Sequence, residues 1–237
     1  MINNKKVLGV VPARSGSTGL KDKNILNFLD KPLMLWPLNT LLDVDEIDMI
    51  HVSTDSEKYA EIARNAGFDV PFLRPEHLSG DESSSIDVLL YILNRLKGEG
   101  NIFEYIVMLE PTSPLTLSKN IKEALNTLDE NKDKADSIIS VGEVVDYHPS
   151  FCLELDHDNK ILPIEGFHNF LHKRRQDLKK LYHLDGSFYI SKVSALYKNK
   201  SFYHPKTIAM VMPKFQNTEI DTIEDFIIAE NIAEKLL

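Results

Sequence analysis

The 237-residue sequence predicts an α/β fold, a doubly wound three-layer sheet with helices on both faces. Four apolar runs rich in β-branched residues are typical of strands covered on both sides: KKVLGVV, IDMIHVS, FEYIVMLE and ADSIISV. Helical patterns alternate with these runs, which favours parallel pairing and right-handed crossovers. The length and the lack of a low-complexity linker predict one domain, residues 1–237, with a small appendage.

The helices are predicted from periodicity and end signals. KPLMLWPLNTLLD begins like a helix at Pro32, but Pro37 would break a backbone hydrogen bond, so a kink or a later start is expected. After HVSTD, apolar residues recur at helical spacing and stop at Gly67, which suits a helix C-terminus. A third helix is predicted over residues 84–97, and a final amphipathic helix over residues 222–236.

The alternation of strands and helices stops after Val141. FCLELDHDNKILPIE predicts two strands joined by a polar DHDN turn, and the basic run HKRRQDLKK follows. GSFYIS and TIAMVM then resume the strand pattern. We therefore expect an insertion, at about residues 143–182, that leaves and rejoins the same sheet.

Composition excludes several classes of protein. A formal net charge of -9 argues against general nucleic-acid binding, which needs a basic surface. Hydrophobic content is 43%, yet no apolar run is long enough for a membrane helix, and the first residues lack signal-peptide features. A lone cysteine, Cys152, cannot form an internal disulfide. A soluble protein in a reducing cytoplasm is expected.

The opening loop, VVPARSGSTGLKDKNI, is the segment best suited to hold an anion. Ligands of open α/β sheets bind beyond the carboxyl ends of the strands, where this loop lies. Gly16 and Gly19 would let the backbone approach a phosphate, while Arg14, Lys21 and Lys23 supply charge. Neither a G-x-G-x-x-G nor a G-x-x-x-x-G-K-[ST] motif is present. Spacing alone is equally compatible with a mobile glycine-serine turn and solvated lysines.

PARSGSTGLKDKN resembles the nucleotide-binding loop of the CMP-N-acylneuraminate (CMP-sialic acid) synthetases, within the nucleotide-sugar cytidylyltransferases. Further pieces follow in the family's order: VSTDS, LRPEHLSGDESSSID, EPTSPL, the HP of His148 and Pro149, RQDLKKLYHLDGSFYI and EIDTIED. The resemblance implies a Rossmann-like fold of the nucleotide-diphospho-sugar transferase type with an inserted dimerisation subdomain. It also implies CMP transfer from CTP to a sialic-acid-like nonulosonic acid, release of pyrophosphate, and a homodimer with residues 143–180 as its contact or swapping surface.

The resemblance implies where CTP binds. Arg14 and Lys23 would contact the triphosphate and stabilise charge on departing pyrophosphate, with Lys21 auxiliary. Arg74 would lie beside the cytosine, and Ser84 and Ser85 would hydrogen-bond the base edge, although helix capping also explains such serines. The predicted nucleotide-binding residues are Ala13, Arg14, Ser15, Gly16, Lys23, Arg74, Ser84 and Ser85.

Glu219 and Asp221 are the predicted metal ligands. In an extended segment, residues two apart project from the same face, and two carboxylates with substrate phosphates suit Mg²⁺. The family typically has an Asp-x-Asp pair here, so the longer Glu219 would allow binding through water. The alternative is that Asp221 caps the helix starting near Thr222. The predicted catalytic residues are Arg14, Lys23 and Asp221.

The resemblance also implies an acceptor site. Arg175, assisted by Arg174 or Lys173, would bind the carboxylate of the sugar, although such a basic run is also typical of a solvated surface. Phe202 and Tyr203 would lie against the sugar or at a dimer contact, and core packing fits them equally well. The predicted sugar-binding residues are Glu110, Thr112, Ser113, Arg175, Asp185, Phe202 and Tyr203.

Four positions of the predicted acceptor site depart from the family pattern. Phe151 stands near a usual lysine, Glu110 replaces a glutamine, Thr116 an arginine and Asp185 an asparagine. An ionised Glu110 only accepts hydrogen bonds, which favours an acceptor presenting hydroxyl or N–H donors. A deoxy, di-N-acylated sugar such as legionaminic acid, or a pseudaminic-type sugar, fits these departures, with sialic acid as the default. The alternatives are transfer to 3-deoxy-manno-octulosonate and a nucleotide-binding regulatory module without turnover.

Overall fold

A six-stranded sheet lies at the centre of the structure, a computed structural model that describes residues 1–16, 19–80, 83–145, 147–164 and 174–236. The strands are β1 (Val7–Pro12), β2 (Asn27–Phe28), β3 (Lys31–Pro32), β4 (Met49–Ser53), β5 (Tyr105–Leu109), β6 (Ser137–Glu143), β7 (Leu153–Leu155), β8 (Ile161–Pro163), β9 (Tyr182–Lys192) and β10 (Thr207–Val211). The α-helices are α1 (Leu35–Leu42), α2 (Glu57–Asn65), α3 (Ser85–Gly98), α4 (Ser118–Glu130), α5 (Val193–Asn199) and α6 (Ile223–Leu236).

The strand order in the central sheet is β10-β6-β9-β5-β1-β4. β1 pairs in parallel with both neighbours, with Leu8 opposite Met49 on one side and Ile106 on the other. β9 runs antiparallel to β5 and β6, so the expectation of purely parallel pairing is wrong for this strand. The insertion leaves the carboxyl end of β6 and returns at that same end, whereas a parallel strand needs a crossover to the opposite end.

Apolar side chains fill both faces of the sheet. Val7 and Val11 of β1 pack on one face with α1, α2 and α4, whereas Leu8 and Val10 pack on the other with α3 and α5. Successive strand residues point to opposite faces, and each fully buried leucine or valine contributes about 1.5–3 kcal/mol. The three-layer α/β/α prediction is confirmed. None of the helices in the residues given above is long and apolar enough to span a membrane.

The first residues of α1 and α3 agree with the helix-start signals in the sequence. α1 begins at Leu35, so Pro37 falls in the first turn, where no backbone N–H is needed, and the later start is confirmed. Ser84 caps α3, because the Ile86 N–H donates to its Oγ (3.1 Å).

A third cluster holds α6 against the β2–β3 hairpin and includes the buried Ile220. At the start of α6, the Thr222 N–H donates to Asp225 Oδ2 (2.9 Å) and the Asp225 N–H donates to Thr222 Oγ1 (3.2 Å). The cap of this helix is therefore Thr222. The alternative that Asp221 serves as the cap is wrong.

The insertion contains the predicted hairpin. β7 and β8 pair antiparallel, and Asp156 Oδ1 in the DHDN turn accepts from the N–H groups of Asp158 and Lys160 (2.9 Å each). Apolar side chains of both strands are exposed, with Leu155 at 58% and Ile161 at 61%. The predicted auxiliary cation Lys173 lies outside the described residues.

Candidate active site

A cleft opens where the carboxyl ends of β1, β4 and β5 meet. The Ala13 N–H donates to Ser53 O (2.8 Å), which ties the opening loop to the end of β4. The cleft has two adjoining cavities, because Pro12, Arg14 and Glu110 line both. The loop cavity, of about 200 Å³, is lined by Pro12, Arg14, Gly19, Lys23, Asn24, Glu110, Pro111, Thr112 and Asp221. The helix cavity, of about 210 Å³, is lined by Pro12, Arg14, Arg74, Gly80, Ser83, Ser85, Val88 and Glu110.

Lys23 and Asp221 meet in the loop cavity. The buried Lys23 Nζ lies 2.8 Å from Asp221 Oδ1 and donates to Ile220 O (2.6 Å). A Cβ at Gly19 would lie only 2.8 Å from Asp221 O, so the close approach requires glycine. The structure thus brings together the predicted phosphate-binding lysine and a predicted metal ligand.

Short contacts also hold Arg14, Ser15 and Asn24 of the opening loop. Asp55 accepts two bonds from Ser15, one from its N–H (2.8 Å) and one from its Oγ (2.9 Å). Asn24 Nδ2 donates to Arg14 O (3.0 Å). Sequence reasoning assigned no role to Asp55, although VSTDS was among the motifs that carried the resemblance. For the described residues of the loop, 10–16 and 19–25, these contacts favour a preorganised arrangement over a loose turn.

Arg74 and Ser85 line the helix cavity together. Arg74 is buried, and its guanidinium donates from Nε to Ser53 Oγ (3.1 Å) and from Nη2 to Ser53 O (2.8 Å). Burial lowers the pKa of Arg74, and the nearby Arg14 charge lowers it further, while the carboxylates of Asp55 and Glu110 oppose this. Ser84 is exposed and serves as the helix cap described above.

Glu110 follows β5 and lies at the junction of the two cavities. Burial raises the pKa of Glu110 to about 7, and the negative charge of Glu219 adds to this, while Arg74 and Lys23 oppose it. A pKa raised this far keeps part of this carboxyl group protonated near neutral pH. The protonated form donates a hydrogen bond, which the sequence-based expectation of an acceptor-only group did not include.

More carboxylates gather beside Glu219. Partial desolvation in the cleft raises the pKa of Glu219 although its side chain still reaches solvent, and the negative charges of Asp221 and Asp185 raise the pKa further, while Lys23 opposes them. A Cβ at Gly186, which has a φ of +70°, would lie 3.3 Å from the Glu219 carboxyl group. Asp185 is buried and accepts from the Ser187 N–H (3.1 Å) through Oδ1. A cation would relieve the mutual repulsion of these groups.

Exposed and buried side chains alternate along segment 219–221, as expected of an extended chain. Glu219 and Asp221 are exposed on either side of the buried Ile220. Thr112 connects this segment to the end of β5, because its carbonyl accepts from the Ile220 N–H (2.9 Å) and its side chain hydrogen-bonds Glu219. Asp221 thus lines the loop cavity, and Glu219 contacts that cavity through Thr112.

The remaining predicted sugar-binding residues do not line either cavity of the cleft. Arg175 is exposed in a 3₁₀ turn of the insertion and lines a separate cavity of about 150 Å³. Phe202 is buried and packs on Tyr189 with ring centroids 5.2 Å apart, so core packing accounts for it. Tyr203 is 46% exposed and meets Tyr189 edge-on. Ser113 is buried in the turn after β5, where its N–H donates to Glu110 O (3.2 Å).

An open α/β sheet whose carboxyl-end loop carries cations opposite paired carboxylates is the arrangement of a nucleotidyltransferase. The chain belongs to the cytidylyltransferase family, since the family model described as Cytidylyltransferase matches residues 8–233.

Three curated relatives of the chain carry names for the activation of acidic sugars. It is 35% identical over 94% of its length to an N-acylneuraminate cytidylyltransferase of Streptococcus agalactiae serotype V, and it spans 52% of that relative. It is 30% identical to a pseudaminic acid cytidylyltransferase of Campylobacter jejuni, with 93% of each chain covered. It is also 30% identical to a CMP-N,N'-diacetyllegionaminic acid synthase of Legionella pneumophila, with 97% of each covered. The chain therefore spans about half the length of some curated relatives and nearly all of others.

Two solved structures share the fold. One is a CMP:2-keto-3-deoxy-manno-octonic acid synthetase complexed with CTP, with a TM-score of 0.68, 16% identity, and coverage of 98% of this chain and 100% of that one. The other is a 4-diphosphocytidyl-2C-methyl-D-erythritol synthase from Anaerococcus prevotii, with a TM-score of 0.62, 15% identity and 98% of each chain covered. The doubly wound prediction agrees with both.

Proposed function

We propose that this protein transfers CMP from CTP to a nonulosonic acid and releases pyrophosphate. The observation that carries the proposal is the cleft itself, which places Lys23 and Asp221 in contact and continues into the cavity of Arg74 and Ser85. Family membership and three relatives named for nonulosonic acids support it. Transfer to 3-deoxy-manno-octulosonate rests on a likeness of fold alone at 16% identity and is less favoured.

In the proposed reaction, the anomeric hydroxyl of the sugar attacks the α-phosphorus of CTP, and the bond to the β-phosphate oxygen breaks. Arg14 and Lys23, which line the loop cavity, would stabilise the charge that develops on pyrophosphate. Arg74 and Ser85 would read the cytosine edge in the helix cavity. The predicted sugar-binding residues Glu110 and Thr112 line the loop cavity, where the acceptor would meet the α-phosphate.

Mg²⁺ is the proposed cofactor, with Glu219 and Asp221 as the residues that would hold it. Both offer hard oxygen donors. Desolvation is the main cause of the raised pKa of Glu219, and the negative charges of Asp221 and Asp185, which add to it, would be offset by a cation. When bound, the ion would withdraw charge from phosphate oxygens.

We also propose a homodimer formed through the insertion. A two-stranded hairpin is marginal by itself, and the exposed apolar side chains of β7 and β8 would gain burial in a contact between two copies. The role of Arg175 at the acceptor carboxylate stays a prediction. Because this arginine lies in a separate cavity of its own chain, that role needs a second copy or a movement of the insertion. The cytoplasmic location also stays a prediction.

Pyrophosphate release tests the function directly. The protein is incubated with Mg²⁺, with CTP or UTP, and with each of N-acetylneuraminic, legionaminic and pseudaminic acids and 3-deoxy-manno-octulosonate. We expect release only with CTP and a nonulosonic acid, and reactions without a sugar are the control. Release with 3-deoxy-manno-octulosonate alone would replace the proposed acceptor, and CTP binding without release on any sugar would favour the regulatory alternative.

A further inference from the structure

The turn at residues 53–56, which follows β4, touches both halves of the nucleotide cleft. On one side, Asp55 accepts from the N–H (2.8 Å) and Oγ (2.9 Å) of Ser15 in the opening loop. On the other side, Ser53 accepts from two nitrogens of the Arg74 guanidinium (3.1 and 2.8 Å). One short turn therefore sets the positions of a phosphate-side segment and a base-side residue.

Backbone bonds make this turn a firm support. The Ala13 N–H donates to Ser53 O (2.8 Å), and the Arg74 N–H donates to Thr54 O (2.7 Å). The Ser56 N–H donates to Thr54 Oγ1 (3.2 Å), which closes the turn on itself. Ser53 and Thr54 are buried, so the turn cannot shift without moving the neighbouring strand ends.

Charge gives Asp55 a second effect on the same site. Arg14 and Arg74 are close enough for the Arg14 charge to oppose that of Arg74, and the Asp55 carboxylate acts in the opposite direction. Two guanidinium groups that share a cleft repel each other unless an anion lies nearby. Asp55 supplies part of that counter-charge and also anchors the loop that carries Arg14.

We propose that Asp55 is a positioning residue for CTP, holding residues 13–16 of the opening loop in the conformation that presents Arg14 to the triphosphate. The inference rests on the proposed function. Without these bonds, residues 13–16 would have to be ordered by the nucleotide, and the entropy cost would weaken CTP binding. The carboxylate would act through Ser15 rather than on the reacting atoms.

The test compares Asp55→Ala with Asp55→Asn. Asparagine can accept from the Ser15 N–H through its carbonyl and donate to Ser15 Oγ, so it keeps the geometry but removes the charge. We expect Asp55→Ala to raise the Kd and KM for CTP about tenfold or more, with a much smaller fall in kcat. The Kd for CTP of Asp55→Asn should stay within about threefold of that of the unaltered protein. The Kd of Ser15→Ala, which keeps the backbone bond, should lie between the values of the two Asp55 variants.

The readouts are calorimetric CTP binding, pyrophosphate release, and amide hydrogen exchange at Ser15 without nucleotide, which should be faster in Asp55→Ala. Glu61→Ala, which removes an exposed carboxylate from α2, is the matched control. If thermal unfolding shows that Asp55→Ala does not fold, Ser15→Ala and Asp55→Asn decide, and an unchanged Kd in Ser15→Ala overturns the inference.

An unchanged Kd for CTP in a folded Asp55→Ala also overturns the inference. If Asp55→Asn binds CTP as weakly as Asp55→Ala, the inference is likewise overturned, because the charge of Asp55 alone would then explain the effect. Both outcomes leave the proposed function intact if the unaltered protein binds CTP. Failure of the unaltered protein to bind CTP would overturn the proposed function and this inference together.

Discussion

The two ends of the cleft differ in how completely one chain builds them. The nucleotide end comprises the opening loop, the turn after β4 and Arg74, which hydrogen bonds of 2.7–3.1 Å join, together with the start of α3, which lines the same cavity as Arg74. At the proposed acceptor end, Arg175 lies on an exposed turn in a separate cavity, and Phe202 packs in the core. The proposed CTP site is thus prepared within one chain, whereas the proposed site for the sugar carboxylate is not.

Substitution of the two proposed metal ligands should have the largest effect on turnover. Asp221→Asn should abolish Mg²⁺-dependent turnover, because it removes a proposed ligand and also the charge that faces Lys23 (2.8 Å). Glu219→Gln should be milder, since a longer side chain is more easily replaced by water. Turnover is measured over a range of Mg²⁺ concentrations, and if both variants kept full activity with the same response, the metal would have to be bound elsewhere.

Removal of either cation of the nucleotide end should have the second-largest effect on turnover. Arg14→Ala and Lys23→Ala should each lower kcat about 100-fold, because each removes stabilisation of developing charge of about 3 kcal/mol. Lys21→Ala should have a much smaller effect, since this auxiliary cation is exposed and absent from the lining of either cavity. Thermal unfolding of each variant checks the fold. Near-normal turnover in both Arg14→Ala and Lys23→Ala would reject the phosphate role and with it the comparison between the two ends.

Arg74 tests the base-side half of the nucleotide end. Arg74→Ala should lower the preference for CTP over UTP about tenfold, because cytosine and uracil differ in donor and acceptor pattern at the edge that polar groups read. The ratio of kcat/KM for the two nucleotides is the measurement. Equal use of CTP and UTP by the unaltered protein would contradict the assignment of the helix cavity to the base.

Glu110 should make the stability of the nucleotide-free protein depend on pH. The folded-state pKa of about 7 lies above the ordinary value of 4.5, so between these values the folded state binds more protons than the unfolded state. The stability from the protonated group is full below pH 4.5 and is lost as pH rises through 7. Chemical unfolding at pH 5 and pH 8 should show this loss in the native protein and a smaller one in Glu110→Gln, and identical losses would contradict it.

The smallest expected effect is on the choice among acceptor sugars, which tests the acceptor end of the cleft. Glu110→Gln should change the ratios of turnover on neuraminic, legionaminic and pseudaminic acids by a few fold, since hydrogen-bond differences of about 1 kcal/mol are involved. The native protein should favour sugars presenting donors, more strongly above pH 7 than below it, because ionisation removes the ability of Glu110 to donate. If the native enzyme preferred N-acetylneuraminate and the swap changed no ratio, Glu110 would not determine specificity.

The sequence by itself determined the alternating α/β elements, the hairpin at DHDN and the identity of the cations in the opening loop. Each depends on residues close together in the chain: strand and helix periodicity, a proline in the first turn of α1, a serine cap before α3. The family resemblance added roles that local pattern could not supply, and left open whether the loop was ordered.

Only the tertiary structure decided the direction of β9, the contact between Lys23 and Asp221, the bonds from Ser15 to Asp55 and the raised pKa of Glu110. Lys23 and Asp221 are 198 positions apart, and they meet because Ile220 packs in the cluster that holds α6 against the β2–β3 hairpin. The pKa of Glu110 depends on burial by several elements at once. Such properties depend on the whole packed fold, because desolvation and long-range contacts exist only once distant segments have been brought together.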